Sequence, residues 1–288
     1  MLAASLVGGA QRVVVTSSTA MLNAGETGFY PKLNAQGDML LYSDVDAHGL
    51  KMLNLTTRDV AAISDQDGAG FFANWSSDGN VYYVTSKVDA KSHLVYRTGM
   101  RYDVARRTND VVLEAQHGAV LPAVGTQGIA IKGKKHSFAS AQRMGTVVST
   151  QGSQVIINVN GNERRFSPVE SYAGYLWPSL SPAGDKVAFF AAGRGIVVID
   201  LDGNILAELG NYEMPAWYDN DYLVAQNTTD DSYQFTSSQI MLLKADGSWC
   251  HELTSPTSMT MQPTAGGGKI AYTTIDGNIT LITIDINQ

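Results

Sequence analysis

Two charged segments carry the side chains best suited to chemistry or to contact. Lys132-Gly-Lys134-Lys135-His136 is basic, and Asn227-Thr-Thr-Asp230-Asp231-Ser-Tyr233-Gln234 is acidic. Lys134, Lys135 and His136 offer cations and an imidazole. Asp230 and Asp231 offer neighbouring carboxylates, and Tyr233 offers a flat ring with a hydroxyl. Both segments are longer than a tight turn requires, and polar loops with tyrosine serve well as contact surfaces. The competing reading of each is an ordinary solvated loop. Catalysis would need more. No nucleophile elbow and no phosphate-cradling glycine loop occurs, and His251-Glu252-Leu253 stops short of a zinc-protease helix. Asp44-x-Asp46-x-His48 and Asp65-x-Asp67-Gly68 begin like calcium loops but lack the closing carboxylate. The reading is therefore a non-enzymatic protein without metal or cofactor, which binds a protein or peptide through Lys134, Lys135, His136, Asp230, Asp231 and Tyr233.

Composition narrows the partners. The net charge of −7 argues against a nucleic-acid binder, which would show a broad basic surface. A single cysteine, Cys250, leaves no intrachain disulfide. No apolar run approaches the roughly 18 residues of a membrane span. Met1–Ala10 is apolar, small and uncharged. It reads as the end of a secretory signal with a small-residue cleavage site near Ala10, which makes the chain exported and periplasmic. A frayed terminus on a cytoplasmic protein is the alternative.

The elements that must position these loops follow from a degenerate phrase. An aromatic or apolar residue precedes Pro or Asn; a polar turn with Gly follows, then a short β-branched strand. The six copies are Phe29–Ser43, Phe71–Thr85, Ala119–Gly133, Tyr175–Phe190, Glu213–Asn227 and Thr260–Thr274. Their anchors, Pro31, Asn74, Pro122, Pro178, Pro215 and Pro263, are 43, 48, 56, 37 and 48 residues apart. Repeats of that length, rich in short strands, mark propeller arrays. Asp202-Gly203, Asp246-Gly247, Asn160-Gly161 and Asp276-Gly277 supply hairpin turns, because a type I′ turn needs positive φ at both central residues.

The chain therefore reads as one all-β domain over residues 1–288, a six-bladed propeller of four-stranded antiparallel blades. The blades fall near 27–66, 70–115, 117–168, 172–211, 212–256 and 257–288. The last copy is one strand short, and the spare strand at 11–18 completes it and closes the ring. The long third interval is the place for an insertion. A monomer is expected.

Pro178-Ser-Leu-Ser-Pro-Ala-Gly-Asp-Lys-Val-Ala-Phe-Phe190 resembles the repeat of TolB-like bacterial propellers. Asn74-Trp75-Ser76-Ser77-Asp78-Gly79 is a second match, with Asn in place of Pro. The resemblance implies an exported scaffold with an envelope partner such as a lipoprotein or secretion component. It also implies that loops between second and third strands share a face around the central channel. The two charged segments would then meet there, together with Asp44–His48 and Lys87–Lys91. A carbohydrate-binding or carbohydrate-active site at the channel mouth is the alternative, with Asp230, Asp231, His136, Trp177 and Trp217 as its candidates. For the two tryptophans, packing between blades is the competing role.

Overall fold

A computed structural model describes residues 12–76, 78–117, 121–125, 128–132 and 146–287. Strand β1 (Arg12–Ala20) precedes the first blade, which is formed by β2 (Phe29–Leu33), β3 (Met39–Ser43), β4 (Leu50–Asn54) and β5 (Val60–Ser64). Blade 2 holds β6 (Asn74–Trp75), β7 (Val81–Val88), β8 (Val95–Asp103) and β9 (Thr108–His117). The third sheet contains β10 (Leu121–Gly125), β11 (Gly128–Lys132), β12 (Thr146–Gln151), β13 (Gln154–Val159) and β14 (Asn162–Phe166). Blade 4 is β15 (Tyr175–Leu180), β16 (Lys186–Ala191), β17 (Gly195–Asp200) and β18 (Ile205–Gly210). Blade 5 is β19 (Glu213–Trp217), β20 (Tyr222–Asp230), β21 (Phe235–Lys244) and β22 (Cys250–Glu252). Blade 6 takes β23 (Thr260–Gly266), β24 (Lys269–Thr274) and β25 (Thr280–Asn287), and β1 completes it as the outermost strand.

All pairings are antiparallel, and β1 runs along β25 from Arg12↔Asn287 to Ala20↔Thr280. Innermost strands touch their neighbours around the ring, β2 against β23 and β6, β23 against β19, and β19 against β15. The chain is thus a closed six-bladed propeller, as the repeat predicts.

The third sheet departs from the other five. Its β10 pairs with β11 on one side and with β12 on the other, through Val124↔Val148. Hence β12 takes the second position, and β11 is an added strand on the inner flank. This strand accounts for part of the long third interval.

Alternation explains why the central strands read as continuous apolar runs. Successive side chains of a strand point to opposite faces, and here each face meets another blade. Leu40 packs with Ala271 and Ile279 of blade 6, whereas the adjacent Leu41 packs with Val81 and Tyr83 of blade 2. Ile240 and Leu242 meet Ile270 and Ile282, and Val198 meets Leu223 and Leu243. Each fully buried Leu or Ile of this kind contributes about 1.5–3 kcal/mol.

Closure also relies on glycine. The sixth copy carries Gly266-Gly-Gly268 where the first, second, fourth and fifth copies have a turn with Asp or Asn. A Cβ on Gly266 would collide with the Asn34 carbonyl oxygen, and one on Gly267 with that of Gln36. Blades 6 and 1 meet backbone to backbone there, so only glycine fits.

Candidate binding face

The anchoring prolines define the inner edge of the ring. Four of the five sit one residue after a backbone kink. Tyr30, Trp177, Met214 and Gln262 have φ of 53°, 50°, 52° and 56°, and each immediately precedes its blade's proline. At each kink the innermost strand gains one residue on its partner, between Phe29/Lys32, Leu176/Ser179, Glu213/Ala216 and Met261/Thr264. The same bulge therefore recurs in four blades. Proline disfavours the right-handed helical region for the residue before it. The left-handed alternative costs a non-glycine residue about 1–3 kcal/mol, so the surrounding structure must hold it. Blade 2 has Asn74 in place of proline and pairs Asn74↔Tyr82 and Trp75↔Val81 without a break.

Side chains from other blades hold these kinks. The Tyr30 amide donates to Gln262 Oε1 at 2.6 Å, and the Gln262 amide donates to Gln226 Oε1 at 2.9 Å. Blades 5, 6 and 1 are thereby linked in one polar relay. A second device repeats twice. Trp75 Nε1 donates to the Lys32 carbonyl at 3.0 Å, and Trp217 Nε1 to the Ser179 carbonyl at 2.9 Å. In each case an innermost-strand indole binds the residue just after the preceding blade's proline.

The kinks lie where innermost strands begin, at the end that also carries the loops between second and third strands. Large exposed apolar side chains gather at this face: Phe71, Tyr172, Trp177, Tyr233, Phe235 and Ile275. Tyr233 is 96% exposed and Tyr172 87%. The remaining exposed apolar residues among those described are either further members of this face or lie on outermost strands, such as Val111 and Val112 of β9. Turns of the opposite face are polar and cap themselves. Asp219 Oδ1 accepts the amides of Asp221 and Tyr222, and Asp200 Oδ1 accepts those of Asp202 and Asn204. Asp246 is held down to about 2 by hydrogen bonds from Ser248 and then by Lys244.

The sequence candidates divide. Lys134, Lys135 and His136 lie outside the described residues. In blade 5 the strands run further than the sequence suggests. Pairing continues through Thr229↔Ser237 to Asp230↔Phe235, so the segment is a long hairpin with a short turn. Asp230 Oδ1 accepts the Ser232 amide, and Asp231 Oδ1 accepts those of Tyr233 and Gln234. The two carboxylates thus shape the turn that presents Tyr233. Backbone hydrogen bonds to Asp231 also lower its pKa. Asp230 has a second effect. Glu213 is half-buried, and burial first and the Asp230 charge second raise its pKa.

Trp217 is 6% exposed and packed between blades 4 and 5, so it offers no platform to a ligand. Trp177 is partly exposed and rests against Phe190, with ring centroids 5.4 Å apart. In blade 1, His48 Nδ1 contacts Asp67 Oδ1 at 2.7 Å, and Lys51 pairs with Asp44 at 2.7 Å. These contacts tie loops together, and no cluster of metal-ligating side chains occurs among the described residues. Sequence reasoning missed the relay of Gln226 and Gln262 and the apolar character of the face. A Gln before Pro263 and aromatics before Pro31 and Pro178 were the available signals.

Fold and face define a six-bladed propeller with one self-capped polar face and one aromatic loop face. No protein-family model matches the chain, and no curated protein matches it. Solved structures do. A putative TolB from Agrobacterium tumefaciens is 14% identical with a TM-score of 0.59, over 97% of this chain and all (100%) of that one. TolB from Acinetobacter baumannii is 16% identical with a TM-score of 0.56, over 82% of this chain. The chain spans 56% of that protein's length. Virginiamycin B lyase from Staphylococcus aureus is 12% identical with a TM-score of 0.62, over 95% of this chain and 99% of that one. The fold is the TolB-like six-bladed propeller. No helix among the described residues is long and apolar enough to cross a membrane.

Proposed function

We propose that this chain is a non-enzymatic scaffold that holds a protein or peptide partner on its loop face, in the bacterial cell envelope. The observation that carries this reading is the segregation of exposed aromatic side chains. Phe71, Tyr172, Trp177 and Tyr233 belong to the loop face, while the opposite turns consist of capped polar residues. Aromatic residues are enriched where proteins meet, and a closed ring fixes loops from separate blades, which lowers the ordering cost of binding. Lys134, Lys135, His136, Asp230, Asp231 and Tyr233 would form a polar rim around that patch. Likeness to TolB structures supports an envelope partner. One neighbour is a lyase, and at 12% identity that likeness extends to the fold alone.

The test is a pull-down from an envelope extract with three proteins of equal melting temperature. One is wild type. One carries Phe71→Ser, Tyr172→Ser and Tyr233→Ser. The third carries Lys134, Lys135, Asp230 and Asp231 all changed to Ala. A protein kept by wild type and lost by the aromatic variant establishes the face. Loss by the third as well adds the rim. Retention by all three rejects this face.

A further inference from the structure

The backbone kinks carry an amide that two blades fill from within the chain and a third does not. Tyr30, Met214 and Gln262 each fall in a break of their strand's register, so none has a ladder partner. In two of them the N–H turns toward the preceding blade. The Tyr30 amide finds Gln262 Oε1 of blade 6 at 2.6 Å, and the Gln262 amide finds Gln226 Oε1 of blade 5 at 2.9 Å. Two positions of the preceding blade thus supply the acceptor. One is its kinked residue, as Gln262 is. The other is the second-strand residue opposite the start of its innermost strand, as Gln226 is opposite Glu213.

Met214 has the same kink, with φ of 52° against 53° for Tyr30 and 56° for Gln262. By that geometry its amide faces blade 4, where β19 packs against β15 and β16. The two acceptor positions of blade 4 are Trp177, the kinked residue, and Phe190, which is opposite Leu176. Neither ring offers an oxygen. No side chain among the described residues accepts from the Met214 amide. The two rings instead rest on each other, with centroids 5.4 Å apart, and Trp177 is 36% exposed. A left-handed residue persists only where its surroundings hold it. A ligand that fills the Met214 amide would supply in blade 5 what a glutamine supplies in blades 1 and 6.

The filled kinks select the ligand. In both, the acceptor is the neutral oxygen of a side-chain carboxamide. A carboxylate is disfavoured at Met214, because Glu213 directly precedes it and the Asp230 charge acts on Glu213. A carboxamide brings the oxygen without the charge, and its NH2 is attracted to the Glu213 carboxylate. The methylenes beside it pack on Trp177 and Phe190 through dispersion.

We propose that the Met214 amide, with Glu213 and the Trp177–Phe190 pair, is a recognition site for the side-chain carboxamide of a glutamine or asparagine on a docked peptide. The site rests on the reading of the loop face as a peptide-docking surface.

The test uses the full chain, isotope-labelled at methionine nitrogen, and two probes: N-acetylglutamine methylamide and an array of random octapeptides. The Met214 resonance is identified by its loss in Met214→Leu. The glutamine derivative should shift the Met214 amide proton saturably to low field, and the norleucine derivative should not. Retained octapeptides should contain Gln or Asn, and replacing it with norleucine should weaken binding about 2- to 10-fold, the usual worth of one hydrogen bond between neutral groups. Trp177→Gln, checked for an unchanged melting temperature, places an acceptor where Gln262 serves Tyr30 and removes the indole. Its Met214 proton should lie at low field without ligand and respond less. A saturable shift in wild type supports the site even if no octapeptide is retained, in which case the docking reading falls alone. Octapeptides that bind equally with norleucine overturn the site and leave the docking face standing. No Met214 shift with either probe, or an equal shift in Trp177→Gln, also overturns the site.

Discussion

Glu213 shows how one side chain records the electrostatics of the loop face. Burial and the nearby Asp230 both disfavour its ionised form, so its folded pKa is raised above the unfolded value of 4.5. A raised carboxylate pKa means that ionisation weakens the fold. The penalty is absent below the unfolded pKa, grows as pH rises through the folded pKa, and is complete above it. Glu213→Gln should therefore melt higher than wild type at pH 7 and match it at pH 3. Thermal scans across that range check this; a variant that is no more stable at pH 7 contradicts it. Asp230→Asn should reproduce part of the gain by removing the second cause. Asp230 and Asp231 were legible in the sequence as an acidic pair, but not as turn caps. That role depends on where strand pairing stops, and β20 and β21 pair up to Asp230↔Phe235.

The innermost strand is the element that repeats, and in four blades a kink accompanies its proline. A fixed φ at proline and a crowded residue before it place the same one-residue bulge in blades 1, 4, 5 and 6. The bulge also explains why two similar tryptophans differ. Trp177 is itself the kinked residue before Pro178 and stays partly exposed, whereas Trp217 stands two residues after Pro215 and is buried between blades. Sequence reasoning could place both on first strands, but not tell them apart, because a one-residue bulge exchanges the faces of a strand. Trp75 and Trp217 each bind the preceding blade's carbonyl, so Trp75→Phe and Trp217→Phe should each cost about 1 kcal/mol. Urea unfolding at constant m-value measures it. A loss near zero in both would mean that water replaces the indole without penalty.

At the scale of the whole molecule, closure is the dominant constraint. Strand β1 contributes one buried apolar side chain, Val13, yet it pairs along the length of β25. Arg58 of blade 1 donates to the Met21 carbonyl at 2.6 Å and so ties the end of this segment to the first blade. Deleting residues 12–20 would open blade 6 at β25 and expose Ile282 and Ile284. A loss of several kcal/mol should lower the melting temperature by about 10 °C or more, at 2–4 °C per kcal/mol for a chain of this size. An unchanged melting temperature would mean that the ring closes without β1.

The amino-acid sequence by itself determined the repeat, the hairpin turns, the blade count and the closing strand. These rest on short-range rules: alternation along a strand, a glycine of positive φ after Asp or Asn in a turn, and the reach of proline over one neighbour. Only Asn160-Gly161 takes positive φ at both residues as a type I′ turn requires; Asp202, Asp246 and Asp276 do not, so those three turns are of another type. It also marked the third interval as irregular, although the added inner strand β11 reversed the expected pairing order there. Only the tertiary structure decided which residues of different blades meet. Tyr30 finds Gln262 across 232 residues of sequence, and Gln262 finds Gln226 across 36. The gathering of exposed aromatics on one face is likewise a product of the ring. A strand pattern specifies which faces are apolar, but a shared channel exists only once six separate sheets close on one another.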